Sequence, residues 1–356
     1  MNPKPATLII LTPGFPSDEQ DTSCLPAQQV FVRSLNRVFP DLRVVLVSLE
    51  YPHRRDTYQW FGNTVMALGG WKEGKGNKLK TLMAVWRKLA VLRREHSVIG
   101  LLSFWCGPCA LAGKYFKRGL PHFTWILGQD ARAGNQFVPF IRPKAGQLVA
   151  MSAFLAEEFN RNYGIRPAHV IPNGIDPELF GPGNVVRDIG VLGVGNLTKL
   201  KRYELFVSVV SGLSSFLPDV RGVICGKGEE EGRLREKIRG LGLEQNVRLA
   251  GELPHREVLS MMQRSRILLH TSSYEGFSTV CLEALYAGAH VISFIDNVGK
   301  AVRNWHVVGN EEGMIAKALE LLQSPDTVYG AELPFTMDDS VRSMMGLYGY
   351  SEAAMS

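Results

Sequence analysis

The stretch Ser273–Ala287, SYEGFSTVCLEALYA, decides the fold reading. Ile267–His270 just before it reads as a strand, so Glu275 falls in the loop that follows. Thr279–Ala287 reads as a helix, with the amides of Gly276, Phe277, Ser278 and Thr279 at its opening turn. Gly276 has no Cβ and lets a ligand approach the backbone. Unpaired N–H groups and the dipole at a helix start bind phosphate or a hydroxyl-rich anion. Glu283 sits in the helix, eight residues past Glu275. Along a helix that spacing places two carboxylates on the order of 10 Å apart. A nucleotide-sugar would fit between them, with its diphosphate near the helix start. An ordinary capped helix with solvated glutamates satisfies the same letters.

Outward from this stretch, strands and helices alternate. On the N-terminal side, Thr7–Thr12, Arg43–Leu49, Ser97–Phe104, His122–Leu127, Gln147–Met151 and Ala168–Ile171 read as strands. Ala27–Val38, Leu79–Arg94, Ala110–Lys117 and Ala156–Asn162 read as helices, the last capped by Ser152. Residues 51–78, rich in Gly and aromatics, read as irregular. After the turn-rich Pro172–Gly183 the pattern restarts. Asp188–Val194, Val220–Cys225, Val247–Ala250, Ile267–His270 and His290–Phe294 are its strands. Tyr203–Phe216, Glu229–Gly240, Arg256–Gln263, Thr279–Ala287, Met314–Leu322 and Asp338–Leu347 are its helices. Such alternation predicts parallel sheets covered on both faces. The expected architecture is α/β, two doubly wound Rossmann-like domains facing an interdomain cleft. Residues 1–172 are expected as the first domain, 173–335 as the second, and 336–356 as a C-terminal helix. In such sheets ligands sit outside the carboxyl ends of the strands, so the loops after strands carry the site.

Length and composition fit this division. At about 150 residues per domain, 356 residues suggest two domains. Apolar residues are 45% and charged residues 21%, ordinary for a globular chain. Val98–Gly113 is the longest apolar stretch, shorter than the ~18–20 residues of a membrane helix. MNPKPATLIIL reads as a first strand, not a signal peptide. Five cysteines in a chain of this length indicate a reducing compartment, and the expected location is cytoplasmic. The net charge of +6 is uneven: residues 1–175 hold 22 Lys and Arg against 11 Asp and Glu, residues 176–356 hold 18 against 23. The basic half can face an anionic partner. Its densest stretch, Lys72–Arg94, has eight basic residues against Glu73, with Lys80, Arg87 and Arg94 on one helical face. Leu79, Leu82, Met83, Trp86 and Ala90 follow helical spacing on the other. This reads either as a solvated outer face or as peripheral contact with the inner face of an anionic membrane. No zinc-finger, RNP or homeodomain pattern occurs, so nucleic acid is not an expected partner.

Ser273–Ala287 closely resembles the E-x7-E signature of glycosyltransferase family 4, the retaining, group 1 type with the GT-B fold. Its neighbours resemble that family in order and spacing. They are VIPNGIDPELF (170–180), VGNLTKLKR (194–202), CGKGE (225–229), VRLAG (247–251), LGQD (127–130) and VAMSAFL (149–155). The resemblance implies a hexosyltransferase taking sugar from a UDP- or GDP-sugar to a glycan or lipid-linked acceptor in cell-surface polysaccharide assembly. It also implies roles. Glu283 would bind the donor ribose and Glu275 the donor sugar. Lys201 would neutralise the diphosphate, with Lys199 or Arg202 assisting and Asn196 in the same loop. The amides of Gly276–Thr279 would bind phosphate and sugar hydroxyls. Gly14 would approach the donor, and Asp130 would line the acceptor side. By the same resemblance 1–172 would be the acceptor-side domain and 173–335 the nucleotide-sugar-binding domain, with the 336–356 helix packing back toward the first. No D-x-D triplet occurs, and neither metal nor cofactor is expected.

The sequence departs from the family pattern in four places. Asn196 stands where an arginine is frequent, Leu127 where a histidine is, SDEQDTSC where a glycine pair is, and NVGK (297–300) where G-G-x-x-E is usual. A different chemistry is spelled by Trp105–Cys109, WCGPC, the letters of the thioredoxin redox motif. A thiolate at a helix start has a lowered pKa, so Cys106 and Cys109 offer a thiol–disulfide alternative; packing in the loop between a strand and the next helix is the plainer reading. A catalytically silent membrane-surface module is a third reading. Gly193-Val194-Gly195 lacks the third glycine of a dinucleotide fingerprint, and no phosphate-binding P-loop motif occurs. His270 and His290, at strand ends, read as structural, and Cys281 as packing.

Overall fold

The computed structural model describes residues 4–70, 74–116, 119–181, 185–295, 298–299 and 301–351, with backbone alone for 74–79. The chain divides into two units, Met1–Gly174 with Met337–Ser356, and Ile175–Thr336. The expected divides at 172/173 and 335/336 lie within two residues of these.

The first unit opens with β1 (Ala6–Gly14), α1 (Pro26–Val38), β2 (Arg43–Tyr51), β3 (Arg55–Trp60), β4 (Asn63–Leu68) and α2 (Gly74–Glu95). It continues with β5 (Ser97–Phe104), α3 (Pro108–Phe116), β6 (His122–Ile126), α4 (Val138–Ile141), β7 (Leu148–Ala150), α5 (Ala153–Tyr163) and β8 (His169–Val170). The sheet order is β3-β4-β2-β1-β5-β6-β7-β8, parallel except for the β3–β4 pair. Alternate residues of β1 serve opposite layers. Ile9 and Leu11, with Val45, Val47 and Leu101, pack with Val85, Leu89 and Leu92 of α2 and with Cys109 and Ala112 of α3. On α1, Phe31 meets Phe104 and Trp125 at 6.0 and 5.0 Å between ring centres.

Two expectations are corrected here. The described part of 51–78 is not irregular throughout: β3 and β4 form an antiparallel hairpin on the sheet edge, paired from Arg55↔Leu68 to Trp60↔Asn63. The two-residue turn Phe61-Gly62 has φ of 43° and 78°. Positive φ at both positions matches the right-handed twist of the strands, and a phenylalanine there hides the turn signal. On α2 the buried line is Val85, Leu89 and Leu92, while Leu82, Trp86 and Ala90 are half-buried and Met83 is exposed. The apolar face is therefore rotated from the one the sequence spacing predicted. Lys72 lies outside the described residues, as does the side chain of Leu79.

The second unit contains β9 (Ile189–Val194), α6 (Tyr203–Ser214), β10 (Gly222–Cys225), α7 (Glu231–Gly240), β11 (Val247–Gly251), α8 (His255–Gln263), β12 (Ser265–His270), α9 (Thr279–Tyr286), β13 (His290–Ser293), β14 (Trp305–Val307) and α10 (Glu311–Gln323). Its six parallel strands run β11-β10-β9-β12-β13-β14. Numbered within the unit this is 3-2-1-4-5-6, the order of dinucleotide-binding sheets, in which direction reverses between the first and fourth strands. The chain then returns to the first unit as α11 (Met337–Gly346). Arg37 and Ser34 of α1 hold Asp338 at 2.6 and 2.5 Å, and Tyr348 donates to the Leu101 carbonyl at 2.7 Å. Among the described residues no helix is long and apolar enough to cross a membrane.

Candidate active site in the second unit

The reversal point of the second sheet lies between β9 and β12, so the loops after these strands converge there. The loop after β9 leaves at Gly195 and folds into a turn of 3₁₀ helix over Lys199–Lys201. Neighbouring backbones fix its path. Gly195 N–H donates to Cys225 O at 3.0 Å, Leu197 N–H to Lys227 O at 2.9 Å, and Gly226 N–H to Gly251 O at 2.7 Å. Gly226 has φ of 146°, and a Cβ there would overlap the Gly195 carbonyl; one at Gly228 would overlap that of Leu197. The glycines of CGKG therefore let two loops touch backbone to backbone.

The loop after β12 is tied to the same turn. Thr271 Oγ1 donates to Lys201 O at 2.6 Å, and Ser273 N–H to Leu200 O at 3.0 Å. These bonds bring Lys201 to Glu275, 74 residues on, with Nζ 2.8 Å from Oε2. His270 Nε2 approaches the same oxygen at 3.2 Å and Ser272 Oγ at 3.3 Å. Lys201 and Glu275 each keep 22% of their side chains exposed, so the pair is shielded but reachable. Burial pushes the Glu275 carboxyl up; the His270 hydrogen bond and the Lys201 charge outweigh it and hold Glu275 below the ordinary range.

Gly276, Phe277 and Ser278 are buried ahead of α9, with the Phe277 ring 6.0 Å from that of Phe335. Ser278 occupies the N-cap position, yet its side chain makes no capping bond. Its buried Oγ has no hydrogen-bond partner among the described residues, and an unmet buried hydroxyl calls for an explanation. Glu283 sits on α9 with Oε1 2.7 Å from His255 Nε2, at the start of α8.

The remaining predicted residues lie elsewhere. Asn196 is exposed at the turn. Lys199 and Arg202 line a separate 430 Å³ cavity with Glu204, Glu230, Arg233 and Lys237, and Arg202 lies over the Phe294 ring at 5.5 Å. Gly14 ends β1 in the first unit, packed against Tyr51 and Cys24. The SDEQDTSC loop beyond it is built on carboxylates: Asp21 accepts from the N–H groups of Ser17, Ser23 and Cys24 and from the Tyr51 hydroxyl. Asp130 follows β6 and accepts N–H bonds from Cys106 at 2.8 Å, Gly128 at 2.9 Å and Leu127 at 3.2 Å. Burial pushes its carboxyl up to about 6 despite these bonds. The NVGK segment falls largely outside the described residues.

The thiol–disulfide alternative for WCGPC is corrected, and the segment packs. Cys106 and Cys109 are free thiols, 0% and 1% exposed. Burial drives both pKa values upward, and the neighbouring Asp130 charge raises that of Cys106 further. A redox cysteine needs the opposite environment. Sequence reasoning missed His255 and the bonding role of His270. A histidine five residues before the first glutamate was the available signal; His255 is brought to Glu283 by tertiary packing alone.

A parallel α/β pair with charged side chains and a helix start gathered at the sheet reversal defines the class: this is the GT-B architecture. The family description "Glycosyl transferases group 1" matches residues 180–324, and "Glycosyltransferase Family 4" matches residues 28–179. The chain belongs to the group 1, family 4 glycosyltransferases. Among curated relatives, a phosphatidylinositol N-acetylglucosaminyltransferase subunit of Arabidopsis thaliana is 29% identical over 164 residues, 45% of this chain and 37% of that protein. Glycogen synthase of Mycobacterium tuberculosis is 26% identical over 282 residues, 73% of this chain and 66% of its own length. The matches thus span from about a third to two thirds of these relatives. The solved sucrose-phosphate synthase of Thermosynechococcus elongatus superposes with a TM-score of 0.71 over 96% of both chains at 14% identity, a likeness of fold.

Proposed function

We propose that this chain is a retaining hexosyltransferase that binds a UDP- or GDP-sugar at the loops after β9 and β12. One observation carries the reading: Lys201, Glu275 and His270 are joined at the sheet reversal, beside the buried, unmet Ser278 hydroxyl at the start of α9. The leaving group of such a transfer is a nucleoside diphosphate. Lys201 and the α9 amides meet its growing negative charge, and fixed charge aimed at the transition state is the largest common source of rate enhancement. Glu275, already ionised, takes the sugar hydroxyls, and Glu283 the ribose hydroxyls. No metal is assigned a role in this reading.

The acceptor in this proposal is a glycan or lipid-linked glycan of cell-surface polysaccharide assembly, taken up mainly by the basic first unit. Asp130 contributes there by fixing the Cys106 and Leu127–Gly128 loops rather than by offering a free carboxylate. The exposed face of α2 carries Lys80, Arg87 and Lys88 beside exposed Met83 and Val91, a pattern suited to peripheral contact with an anionic cytoplasmic membrane face. One curated relative is named a phosphatidylinositol N-acetylglucosaminyltransferase subunit, and a lipid-borne substrate for this chain is proposed partly on that likeness.

The test is thermal unfolding with a panel of UDP- and GDP-sugars in chelator, on wild type and Glu283→Ala. A ligand at 100 times its Kd stabilises by about 2.7 kcal/mol, a shift of roughly 5–10 °C for domains of this size. A shift confined to one nucleotide class and reduced in the variant supports the donor site. No shift with any donor sinks the reading. Co-sedimentation with vesicles containing anionic lipid, abolished by salt, tests the membrane contact separately.

A further inference from the structure

His255 stands in a place local chemistry disfavours. It is the first residue of α8, where the helix dipole repels positive charge. Its side chain is only 15% exposed and Glu283 is 14% exposed, yet the two meet at 2.7 Å. Burial pulls the imidazole toward neutrality; the Glu283 hydrogen bond and charge reverse this and leave its pKa above the ordinary value. A residue that breaks its local rule and is compensated by a partner on another helix points to what that partner does.

We propose that His255 is a positioning residue for the donor, acting through Glu283. This rests on the reading that Glu283 binds the ribose. An ionised carboxylate has about four acceptor sites on two oxygens and donates nothing. His255 Nε2–H occupies Oε1 and fixes the carboxylate plane. Oε2 remains for a neighbouring pair of ribose hydroxyls, which can only donate to it. Without His255 the glutamate is free to turn among rotamers, and each binding event must order it again. The device selects ribonucleotides: a donor lacking the ribose hydroxyl has nothing to gain from a pre-oriented Glu283.

Calorimetric titration of UDP and GDP, with their 2′-deoxy and 3′-deoxy forms, tests this on wild type, His255→Ala, His255→Gln and Glu283→Ala. Gln places an amide N–H near the position of Nε2–H. For whichever ribonucleoside diphosphate binds wild type, His255→Ala is expected to weaken binding about tenfold, equivalent to 1.4 kcal/mol. His255→Gln is expected to recover to within about threefold, and at least one deoxy form to bind wild type and His255→Ala alike. In turnover, the loss falls on KM for the donor and leaves kcat within about twofold. Binding unchanged by His255→Ala while Glu283→Ala weakens it overturns the proposal and spares the donor site. Equal loss for ribo and deoxy forms overturns it too, since it marks a merely structural histidine. If neither UDP nor GDP binds wild type, the donor reading itself fails and this inference falls with it.

Discussion

The two units both place charged loops close to the reversal points of their sheets and use the charge differently. In the second unit the reversal point holds Lys201, Glu275 and His270 bonded side chain to side chain, with Lys201 and Glu275 still partly open. In the first, the loop after β1 carries Asp21 and the loop after β6, one strand past the reversal between β1 and β5, carries Asp130, and both give their oxygens mostly to backbone N–H groups. A side-chain pair can open and exchange its partner for a ligand. A carboxylate holding three amides cannot leave unless its loop refolds. Position in the topology therefore marks where a ligand can sit, and the bonding partners separate exchangeable charge from scaffold.

The largest effect separates two neighbouring lysines. Lys201→Ala is expected to cut transfer by about 10²–10³-fold, the cost of removing one charge stabiliser from a transition state. Lys199→Ala, which removes a lysine facing the other cavity, is expected to stay within about threefold. Equal losses in steady-state turnover would show that the 3₁₀ turn rearranges around the donor and would break the distinction drawn between them. A smaller effect tests the scaffold beneath that turn. Gly226→Ala puts a methyl into the Gly195 carbonyl at a backbone conformation L-residues rarely adopt, and is expected to cost about 2–4 kcal/mol by denaturant unfolding. A stable Gly226→Ala protein would mean that the loops after β9 and β10 are not locked together.

Much of this architecture was legible because core strands such as TLIILT and RVVLVSL are apolar on both faces, the mark of a sheet covered by helices on each side. The hairpin at Arg55–Leu68 was not, because its turn is Phe61-Gly62 rather than an Asn-Gly or Asp-Gly pair. The α2 face was misjudged because Met83 looks like core by type, while the structure leaves it exposed. Glu275, Glu283 and Lys201 could be picked out as letters in a spaced pattern. Their partners could not: His255 and Glu283 are 28 residues apart, and helix packing alone joins them. The WCGPC letters could not settle their own role for the same reason, since thiol reactivity depends on burial and the nearest charge, and a motif carries neither.

The smallest effects lie in the pH dependence of stability, where the two units should move in opposite directions. Asp130 has its pKa raised from 3.8 to about 6, chiefly by burial. Its protonated form suits the fold, so its contribution is fully present below about pH 4 and is lost as pH rises through 6. His306, in the second unit, stacks on His290 with ring centres 5.3 Å apart. Burial first, then the His290 and Lys317 charges against an opposing Glu320, lower its pKa from 6.5 to about 4. Its neutral form suits the fold, so its contribution is fully present above pH 6.5 and is lost as pH falls through 4. Thermal unfolding between pH 4 and 7 should therefore show Asp130→Asn removing a slope of one sign and His306→Gln a slope of the other. If both variants keep the wild-type pH curve, the two groups titrate as they do in the unfolded chain. The scaffold carboxylate of the first unit would then be no more constrained than the exchangeable charges of the second.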